Sequence, residues 1–294
     1  METRHAKSGA LLMRTLDRLV PMRSVWLAII LCLGLAIPAY AATIFSEDFE
    51  AADYATFLST HGWLGGDIAH ATTDLFTMTG HTGASTRVLR LTYQGIHVND
   101  CCNSSTTKFF SPQPEIYVRY YFRTEPIPPA TQSSYSNITG KQHYLKTGGT
   151  SDGTPNTVLN HRFGSRAKTF GDQGNWIGGG VNHTPNMANI PLQDNRWYCI
   201  EYHVKMNTPN EANGVAEIWV DGAQTLGEYS IGQRDTAHAN AAFTSLQIYR
   251  QGSDNMYRYE DDMVVATTRV GCSGTPPASA DSTPPAAPLG LTLR

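Results

Sequence analysis

The sequence predicts an all-β protein built as a two-sheet antiparallel β-sandwich or jelly roll. Apolar residues recur at every second position in many short segments, which is the period of a strand with one buried face. The 26 glycine and 16 proline residues supply turns between these segments. After residue 42, no stretch keeps apolar residues at helical spacing for three turns. Many short strands separated by turns favour a sandwich over a helical fold.

The clearest strand is Glu115–Arg123, in which Ile116, Val118, Tyr120 and Phe122 share one face. The remaining side chains of this segment are aromatic or charged and share the other face. We therefore expect a strand with one face in the core and one face turned outward.

Other segments repeat this alternation. Trp197–Lys205 has the same pattern, and Gly214–Asp221 ends in Asp221-Gly222, a dipeptide typical of tight hairpin turns. Thr225–Ile231 would then return as the hairpin partner. The further candidate strands are Thr43–Glu50, Thr86–Tyr93, Gln142–Lys146, Val158–Lys168, Phe243–Arg250 and Asp261–Thr268.

Composition and charge exclude two classes of protein. The chain has 22 Lys+Arg and 25 Asp+Glu, a net charge of −3, and no basic block. Nucleic acid is therefore not expected as a partner, because phosphate binding needs clustered basic residues. The hydrophobic content of 40% is enough to bury a core, which argues against a disordered chain.

Both ends of the chain differ from its middle. Residues 1–41 have a basic start, an apolar run from Val25 to Ile37 and the small-residue site Ala39-Tyr40-Ala41, which together predict a secretory signal peptide. An uncleaved anchor is the alternative. We expect a secreted, extracellular protein without membrane contact after cleavage; a periplasmic destination fits the same leader. The composition of residues 273–294 predicts a Pro-rich linker or tail, and residues 42–272 are then expected to be the folded domain.

Four cysteines remain once Cys32 leaves with the signal peptide. An even number in an exported protein predicts two disulfides. Adjacent cysteines rarely bridge each other, so Cys101 and Cys102 are each expected to pair with a distant partner. The connectivity and the oligomeric state stay open at this stage.

The outward row of the Glu115–Arg123 strand is a candidate sugar-binding surface. Tyr117, Arg119, Tyr121 and Arg123 alternate strictly, and sugars bind grooves through aromatic stacking and polar groups. An ordinary exposed sheet face is the alternative, because tyrosine and arginine are common there.

A second candidate surface begins at Gly140. On a strand, Lys141 and His143 share one face, and Gln142, Tyr144 and Lys146 share the other. Neither face is apolar, which predicts a polar cleft, although a solvated edge strand would have the same composition.

Two arginines follow this strand in the chain. Asn160, Arg162 and Arg166 alternate on one side of the next segment. Beside Lys141 and His143, the two guanidinium groups would form a floor that accepts anions. Together with the Tyr117 row, the sequence predicts one cationic, aromatic-lined patch in the hollow of a curved sheet, with an anionic polysaccharide as its partner.

Several short motifs resemble the concanavalin A-like jelly-roll polysaccharide lyases, above all the family 14 alginate and glucuronan lyases. They extend over most of residues 43–272 and support the fold more than the activity. The motifs are Phe45-Ser46-Glu47-Asp48-Phe49-Glu50, Tyr117-Val118-Arg119-Tyr120-Tyr121, Trp197-Tyr198-Cys199-Ile200-Glu201, Asn207-Thr208-Pro209, Asn213-Gly214, Ile218-Trp219-Val220-Asp221-Gly222 and Tyr259-Glu260-Asp261-Asp262-Met263-Val264-Val265.

The resemblance implies cleavage of a uronate-containing polysaccharide by β-elimination. It implies that Lys141, in a Gly-Lys segment, is catalytic, with His143 as an alternative base. Arg162 and Arg166 would neutralise the substrate carboxylate, and Tyr144 or Tyr117 would protonate the leaving oxygen. Gln142, Tyr117, Arg119, Tyr121 and Arg123 would complete substrate binding.

One segment departs from the family pattern. Where the family usually has a tyrosine pair, this chain has Asn175-Trp176-Ile177-Gly178-Gly179-Gly180. Trp176 suits stacking on a sugar ring, which is a binding role. A non-catalytic, lectin-like carbohydrate-binding module is therefore the alternative function.

Other chemistries find little support in the sequence. No G-x-S-x-G or HExxH motif is present, and no E-x-D-x-x-E strand indicates a laminarinase-type hydrolase. Asp261 and Asp262 would point to opposite faces of a strand and so would not form a glycosidase pair. Either could join Asp48 or Glu50 around a structural calcium, and no other cofactor is expected.

Overall fold

The computed structural model describes residues 42–66, 73–93, 105–126, 141–147, 157–163, 170–174, 187–188, 193–232, 234, 236, 239–249 and 256–272. All of these residues belong to the compact unit Ala41–Arg294. The predicted signal peptide, the Pro-rich tail, Cys101, Cys102, Arg166 and Trp176 lie outside the described residues. Within the described ranges, no helix combines the length and the apolar character of a membrane span.

The described residues form fifteen strands and one helix. In chain order they are β1 Thr43–Glu47, α1 Tyr54–His61, β2 Trp63–Gly66, β3 Thr73–Thr79, β4 Ser85–Tyr93, β5 Ser105–Gln113, β6 Glu115–Pro126, β7 Lys141–Lys146, β8 Thr157–Phe163, β9 Phe170–Gly174, β10 Met187–Ala188, β11 Tyr198–Lys205, β12 Gly214–Val220, β13 Ala223–Ile231, β14 Phe243–Tyr249 and β15 Met256–Ala266.

These strands form two antiparallel sheets, as the sequence predicts. The first sheet has the order β13-β12-β11-β6-β15-β4-β3, and β1 adds to it by pairing with β15. The second sheet has the order β10-β9-β8-β7-β14-β5-β2. The all-β, jelly-roll sandwich is therefore confirmed.

The predicted alternation places the core between the two sheets. On β6, Ile116, Val118, Tyr120 and Phe122 are all buried within one apolar cluster. The neighbouring strand β11 contributes its own alternate residues, with Ile200 directly opposite Tyr120. Side chains of period two on both strands thus turn one face inward and leave the other face outward.

The Asp221-Gly222 hairpin between β12 and β13 is also confirmed. Both residues have positive φ angles, 49° and 82°, as a two-residue turn with the twist of the strands requires. The Asp221 carboxylate also accepts a hydrogen bond from the Cys199 backbone N–H at 2.9 Å. The turn is therefore tied to β11 as well as to its own hairpin.

Helix α1 is not predicted by periodicity, and the strands β2, β3, β5, β9 and β10 are likewise absent from the candidate strands named above. The helix has eight residues, and Phe57 is its buried side chain. Asp53 caps its start by accepting from the Thr56 N–H at 2.7 Å, and Gly62 ends it at φ 67°. A two-turn helix is too short for a three-turn pattern, so capping rather than periodicity is its sequence signal.

Candidate functional site

The outward face of the second sheet carries a group of polar side chains. Leu145 on β7 and Leu246 and Ile248 on β14 belong to the apolar core between the sheets. The residues that alternate with them therefore point away from the first sheet. We call this side the outer face of the second sheet; its polar members are Thr107, Tyr144, Lys146, Ser245 and Gln247.

Strand register aligns these residues in rows across the sheet. Gln247 lies opposite Thr107 on one side and opposite Tyr144 on the other. Ser245 lies opposite Lys146, whose Nζ is 5.9 Å from the centroid of the Tyr144 ring. Directly opposed residues in antiparallel strands have Cβ atoms about 4.5–5.5 Å apart, so these groups are neighbours.

The register extends the first row to two more strands. Asn160 on β8 lies opposite Tyr144, and Gln173 on β9 lies opposite Asn160. Two pairs along the same two strands, beyond His143 and His161, Lys141 lies opposite Arg162. The backbone therefore brings two predicted site positions, 141 and 162, onto neighbouring strands.

Ser245 is the most informative member of the outer face. Its side chain is fully buried, and its hydroxyl has no hydrogen-bond partner. A buried hydroxyl without a partner lowers stability, so such groups are rare unless they have another role. The hydroxyl lies next to Lys146, which is also buried. Core packing alone does not explain two polar groups at these positions.

Other predicted site residues are only partly located. The structure gives the strand positions of Lys141, Gln142 and Arg162 through β7 and β8. Arg166 and Trp176 lie outside the described residues. The catalytic and binding roles of all five stay predictions.

His143 does not face a polar cleft, which corrects the expectation from the sequence. It lies between the sheets with a side chain 1% exposed, and its Nε2 is 3.0 Å from a carboxylate oxygen of Glu260 on β15. The register of β7 also shifts between Lys141 and His143, so simple alternation fails at that point. The inward face of β7 can hold a polar residue at this position because His143 is paired with the Glu260 carboxylate.

Three more polar groups surround this buried pair. Arg258 contacts Glu260 at 2.8 Å, and the Tyr202 hydroxyl lies 3.3 Å from His143 Nδ1. Burial would raise the pKa of Glu260, but the electrostatic interactions and hydrogen bonds with His143 and Arg258 outweigh it, and the pKa lies below its ordinary value. Burial raises the pKa of Tyr202 and of Tyr120 well above the ordinary value. The carboxylate is therefore ionised and the two phenols are protonated.

The predicted sugar-binding row on β6, which begins at Tyr117, lies on the first sheet and not on the second. Tyr117, Arg119, Tyr121 and Arg123 alternate with core residues of β6, so they point away from the second sheet and from Tyr144. The expectation that they share one groove with the β7 residues is wrong, because the thickness of the sandwich separates the two surfaces. We call their side the outer face of the first sheet.

Contacts within the protein occupy this row. Tyr117 stacks on His203 with ring centroids 4.0 Å apart, and Tyr121 stacks on His81 at 3.4 Å. The Tyr121 hydroxyl donates to the Cys272 carbonyl at 2.9 Å. Arg119 is buried, its guanidinium nitrogens have no hydrogen-bond partner, and burial lowers its pKa. A sugar would have to displace this packing to reach Arg119.

Next to this row, a histidine and two aspartates form an acidic cluster. Asp262 has a positive φ of 44° at a register shift of β15, so the two carboxylates do not point to opposite faces as alternation predicts. Instead, ligand atoms of His81, Asp261 and Asp262 lie within 4.8 Å of one another. Burial and the neighbouring carboxylates raise the pKa of Asp261 to about 7. These three residues could hold a cation; structural calcium stays a prediction.

The disulfide connectivity also differs from expectation. Cys199 on β11 is bonded to Cys272, so neither is available to Cys101 or Cys102. The buried Glu201 carboxylate accepts from the Val270 N–H at 2.7 Å and from the Gly271 N–H at 3.2 Å. The segment that ends at Cys272 is thus fixed to β11 by a covalent bond and by a buried carboxylate.

Sequence reasoning missed three members of the outer face of the second sheet. Ser245 and Gln247 alternate with Leu246 and Ile248 in the segment Phe243–Tyr249, which is the signal that could have identified them. Thr107 gives no such signal, because each face of β5 carries polar residues and one phenylalanine. Its place in the row depends on its pairing with β14.

Comparisons with known proteins agree with this fold. The family model for polysaccharide lyase 14 matches residues 181–267, which include β11 to β15. At the sequence level, no curated protein matches the chain. The resemblance to family 14 polysaccharide lyases is thereby confirmed over this part of the chain.

Solved structures of lyases share the fold at low identity. A variant of alginate lyase Aly36B in complex with alginate trisaccharide is 16% identical, with a TM-score of 0.57, over 78% of this chain and 100% of that one. A marine alginate lyase from Aplysia kurodai is 15% identical, with a TM-score of 0.55, over 78% and 100%. An endo-β-1,4-glucuronan lyase from Trichoderma reesei is 12% identical, with a TM-score of 0.54, over 77% and 96%.

Proposed function

We propose that this protein, which resembles the family 14 polysaccharide lyases over residues 181–267, cleaves a uronate-containing polysaccharide by β-elimination. The observation that carries the proposal is the polar row Thr107, Gln247 and Tyr144 beside Lys146 and Ser245. A tyrosine ring, amide and hydroxyl groups and an ammonium group are the functional groups that bind anionic sugars. The names of the solved relatives, alginate and glucuronan lyases, support a uronate as the sugar.

The reaction needs a base, an acid and a group that neutralises the carboxylate. The base removes the proton at C5, the electron pair forms the C4–C5 double bond, and the C4–O glycosidic bond breaks. The acid protonates the oxygen that leaves. The C5 proton becomes acidic enough only when positive charge or hydrogen bonds stabilise the carboxylate beside it.

The strands β7 and β8 offer residues for each role. Lys141 is assigned as the base, as the family resemblance implies, and Tyr144 as the acid. Arg162 neutralises the substrate carboxylate, and the pairing of positions 141 and 162 supports this assignment. Lys146 adds a second positive charge on the face where Tyr144 lies.

The proposal includes export of the protein. A polysaccharide substrate is found outside the cell, and residues 1–41 have the order of a secretory signal peptide. We accordingly assign an anionic extracellular polysaccharide as the partner.

A carbohydrate-binding module without activity is the second candidate. It is favoured by the segment Asn175–Gly180, which has tryptophan and glycine where family 14 usually has two tyrosines. In that case the outer face of the second sheet would bind the same polysaccharide and leave it intact.

One experiment separates the two candidates. The purified protein is incubated with alginate, glucuronan and pectate, and the ultraviolet absorbance of the unsaturated uronate product is followed, with binding measured in parallel. We expect product from at least one polysaccharide, and a loss of about 100-fold or more in Lys141→Ala. Lys205→Ala, on the outer face of the first sheet, is the matched control and should keep full activity. Binding without product from any substrate would replace the lyase by the binding module.

A further inference from the structure

A buried, hydrogen-bonded histidine–glutamate pair joins the two sheets directly behind the proposed active site. His143 Nε2 lies 3.1 Å and 3.0 Å from the two carboxylate oxygens of Glu260. The side chains are 1% and 0% exposed. His143 belongs to β7 in the second sheet and Glu260 to β15 in the first, so this contact crosses the core.

The surroundings of His143 hold the pair in this arrangement. Arg258 supports Glu260 from its own strand, and Tyr202 places its hydroxyl at the second ring nitrogen of His143. The Tyr120 ring packs 4.5 Å from the imidazole, centroid to centroid. Among the described side chains, the charged or titratable groups around His143 include one carboxylate, one guanidinium and two protonated phenols, and β8 places His161 opposite it in the sheet. None of them belongs to the outer face of the second sheet.

Strand β7 has a particular need for such an anchor. Its register with β8 shifts twice, between Lys141 and His143 and between Leu145 and Lys146. Each shift interrupts the ladder of hydrogen bonds on the β8 side, whereas on the β14 side the register is continuous only from His143 to Lys146. Because a slip by one residue turns every side chain to the opposite face, a fixed point at His143 determines where the neighbouring side chains lie.

We propose that His143 and Glu260 are positioning residues that hold β7 in register against the first sheet. The inference rests on the proposed function, because the side chains they position are Tyr144 and those at positions 141 and 146. His143 acts through the strand and does not contact the substrate. His143 was suggested as an alternative base because it lies two residues from Lys141. The buried position of His143 argues against that role.

Two substitutions at His143 distinguish positioning from proton transfer. In His143→Gln, the amide can still donate to Glu260 but cannot serve as a base. We expect kcat within about 3-fold of wild type, whereas loss of a general base would lower it by about 100- to 10,000-fold. His143→Leu removes the contact, and the resulting displacement of β7 should lower kcat by about 100-fold with KM nearly unchanged. A loss of 100-fold or more in His143→Gln would overturn the proposal.

Two further measurements complete the test. His203→Gln is the matched control, because His203 also lies beside glutamates but on the outer face of the first sheet; its kcat should equal that of wild type. The pH profile of His143→Gln should keep both limbs of the wild-type profile. A missing limb would identify His143 as a catalytic acid or base and reject a positioning role.

Amide hydrogen exchange tests the anchor independently of catalysis. His143→Leu should accelerate exchange of the β7 amides from 141 to 146, and His203→Gln should leave it unchanged. If the wild-type protein yields no unsaturated product, the proposed function fails while this measurement still decides the anchor. Unchanged exchange in β7 of a folded His143→Leu protein would contradict the anchor whatever the activity. Should His143→Leu not fold, His143→Gln decides through kcat.

Discussion

Two of the histidines that contact glutamates in this protein lie in very different surroundings. In the core, His143 and Glu260 connect β7 to β15, and their side chains are 1% and 0% exposed. On the outer face of the first sheet, His203 lies 2.9 Å from Glu115 and 2.7 Å from Glu217. Glu115 there is 34% exposed, so water screens part of the interaction.

The two arrangements also connect different parts of the fold. Glu115 and Glu217 lie on β6 and β12, the two strands that already pair with β11 through backbone hydrogen bonds. His143 and Glu260, by contrast, belong to two different sheets, which are also connected by the Trp63–Glu47 hydrogen bond at 2.9 Å. Removing one partner should therefore cost little stability on the outer face and much in the core.

Removing the buried carboxylate should have the largest effect. Glu260→Gln leaves His143 and Arg258 without their anionic partner in the core, and we expect the free energy of unfolding to fall by about 3–5 kcal/mol. Denaturant unfolding of wild type and variant measures this. Glu115→Gln is the matched control, because Glu115 is 34% exposed, and it should lose at most about 1 kcal/mol. Equal losses in both variants would remove the distinction between core and outer face.

The outer face of the first sheet should depend more on its covalent bond than on its ion pairs. The Cys199–Cys272 disulfide closes a loop with a sequence separation of 73 residues. Replacing both cysteines by serine should lower the free energy of unfolding by about 2–5 kcal/mol. A loss no greater than that of Glu115→Gln would show that buried Glu201 holds this segment without the disulfide.

The two outer faces should differ in activity. Tyr144→Phe removes the proposed acid, and kcat on the uronate polysaccharide should fall by about 100-fold. Tyr229→Phe removes an exposed hydroxyl that donates to Glu217 on the first sheet, and it should leave kcat unchanged. The opposite result would move the active site to the outer face of the first sheet.

Acid should weaken the core pair in a defined direction. The pKa of Glu260 is lowered from its ordinary value of 4.5, so its stabilising effect is present above that pH and is lost as pH falls through the lower folded-state pKa. The difference in unfolding free energy between wild type and Glu260→Gln should therefore shrink below pH 4.5. A difference that stays constant down to acid denaturation would contradict an ionised Glu260.

The acidic cluster should give the smallest effect. If His81, Asp261 and Asp262 hold a cation, adding calcium or manganese should raise the melting temperature by about 2–4 °C, and chelation should reverse the rise. Asp262→Asn should abolish the response. No response of the wild-type protein to either ion would reject the predicted structural calcium.

The sequence predicts the fold well wherever one face of a strand is apolar. Glu115–Arg123 and Trp197–Lys205 alternate cleanly, and their inward residues lie in the core as expected. The Asp221-Gly222 turn depends only on local backbone geometry and can be predicted equally well from the sequence. Helix α1 was missed because its two turns are fixed by caps at Asp53 and Gly62 rather than by periodicity.

The candidate site could be predicted less well from the sequence, because it depends on contacts between segments that are far apart in the chain. Alternation divides β7 into two faces but does not tell which face is inward when both are polar. That choice depends on Glu260, which is 117 residues from His143. The register shift at Asp262 likewise cannot be read from two adjacent aspartates, and it brings together carboxylates that alternation would separate.

The sequence by itself determined that this chain forms short strands with one apolar face. The reason is that side chains of a strand alternate between two faces, so that neighbouring residues in the sequence show the pattern directly. Only the tertiary structure decided which polar residues face solvent, which are paired in the core and which cysteines bond. Those outcomes depend on the pairing of strands far apart in the chain and on which charges find a partner when water is excluded.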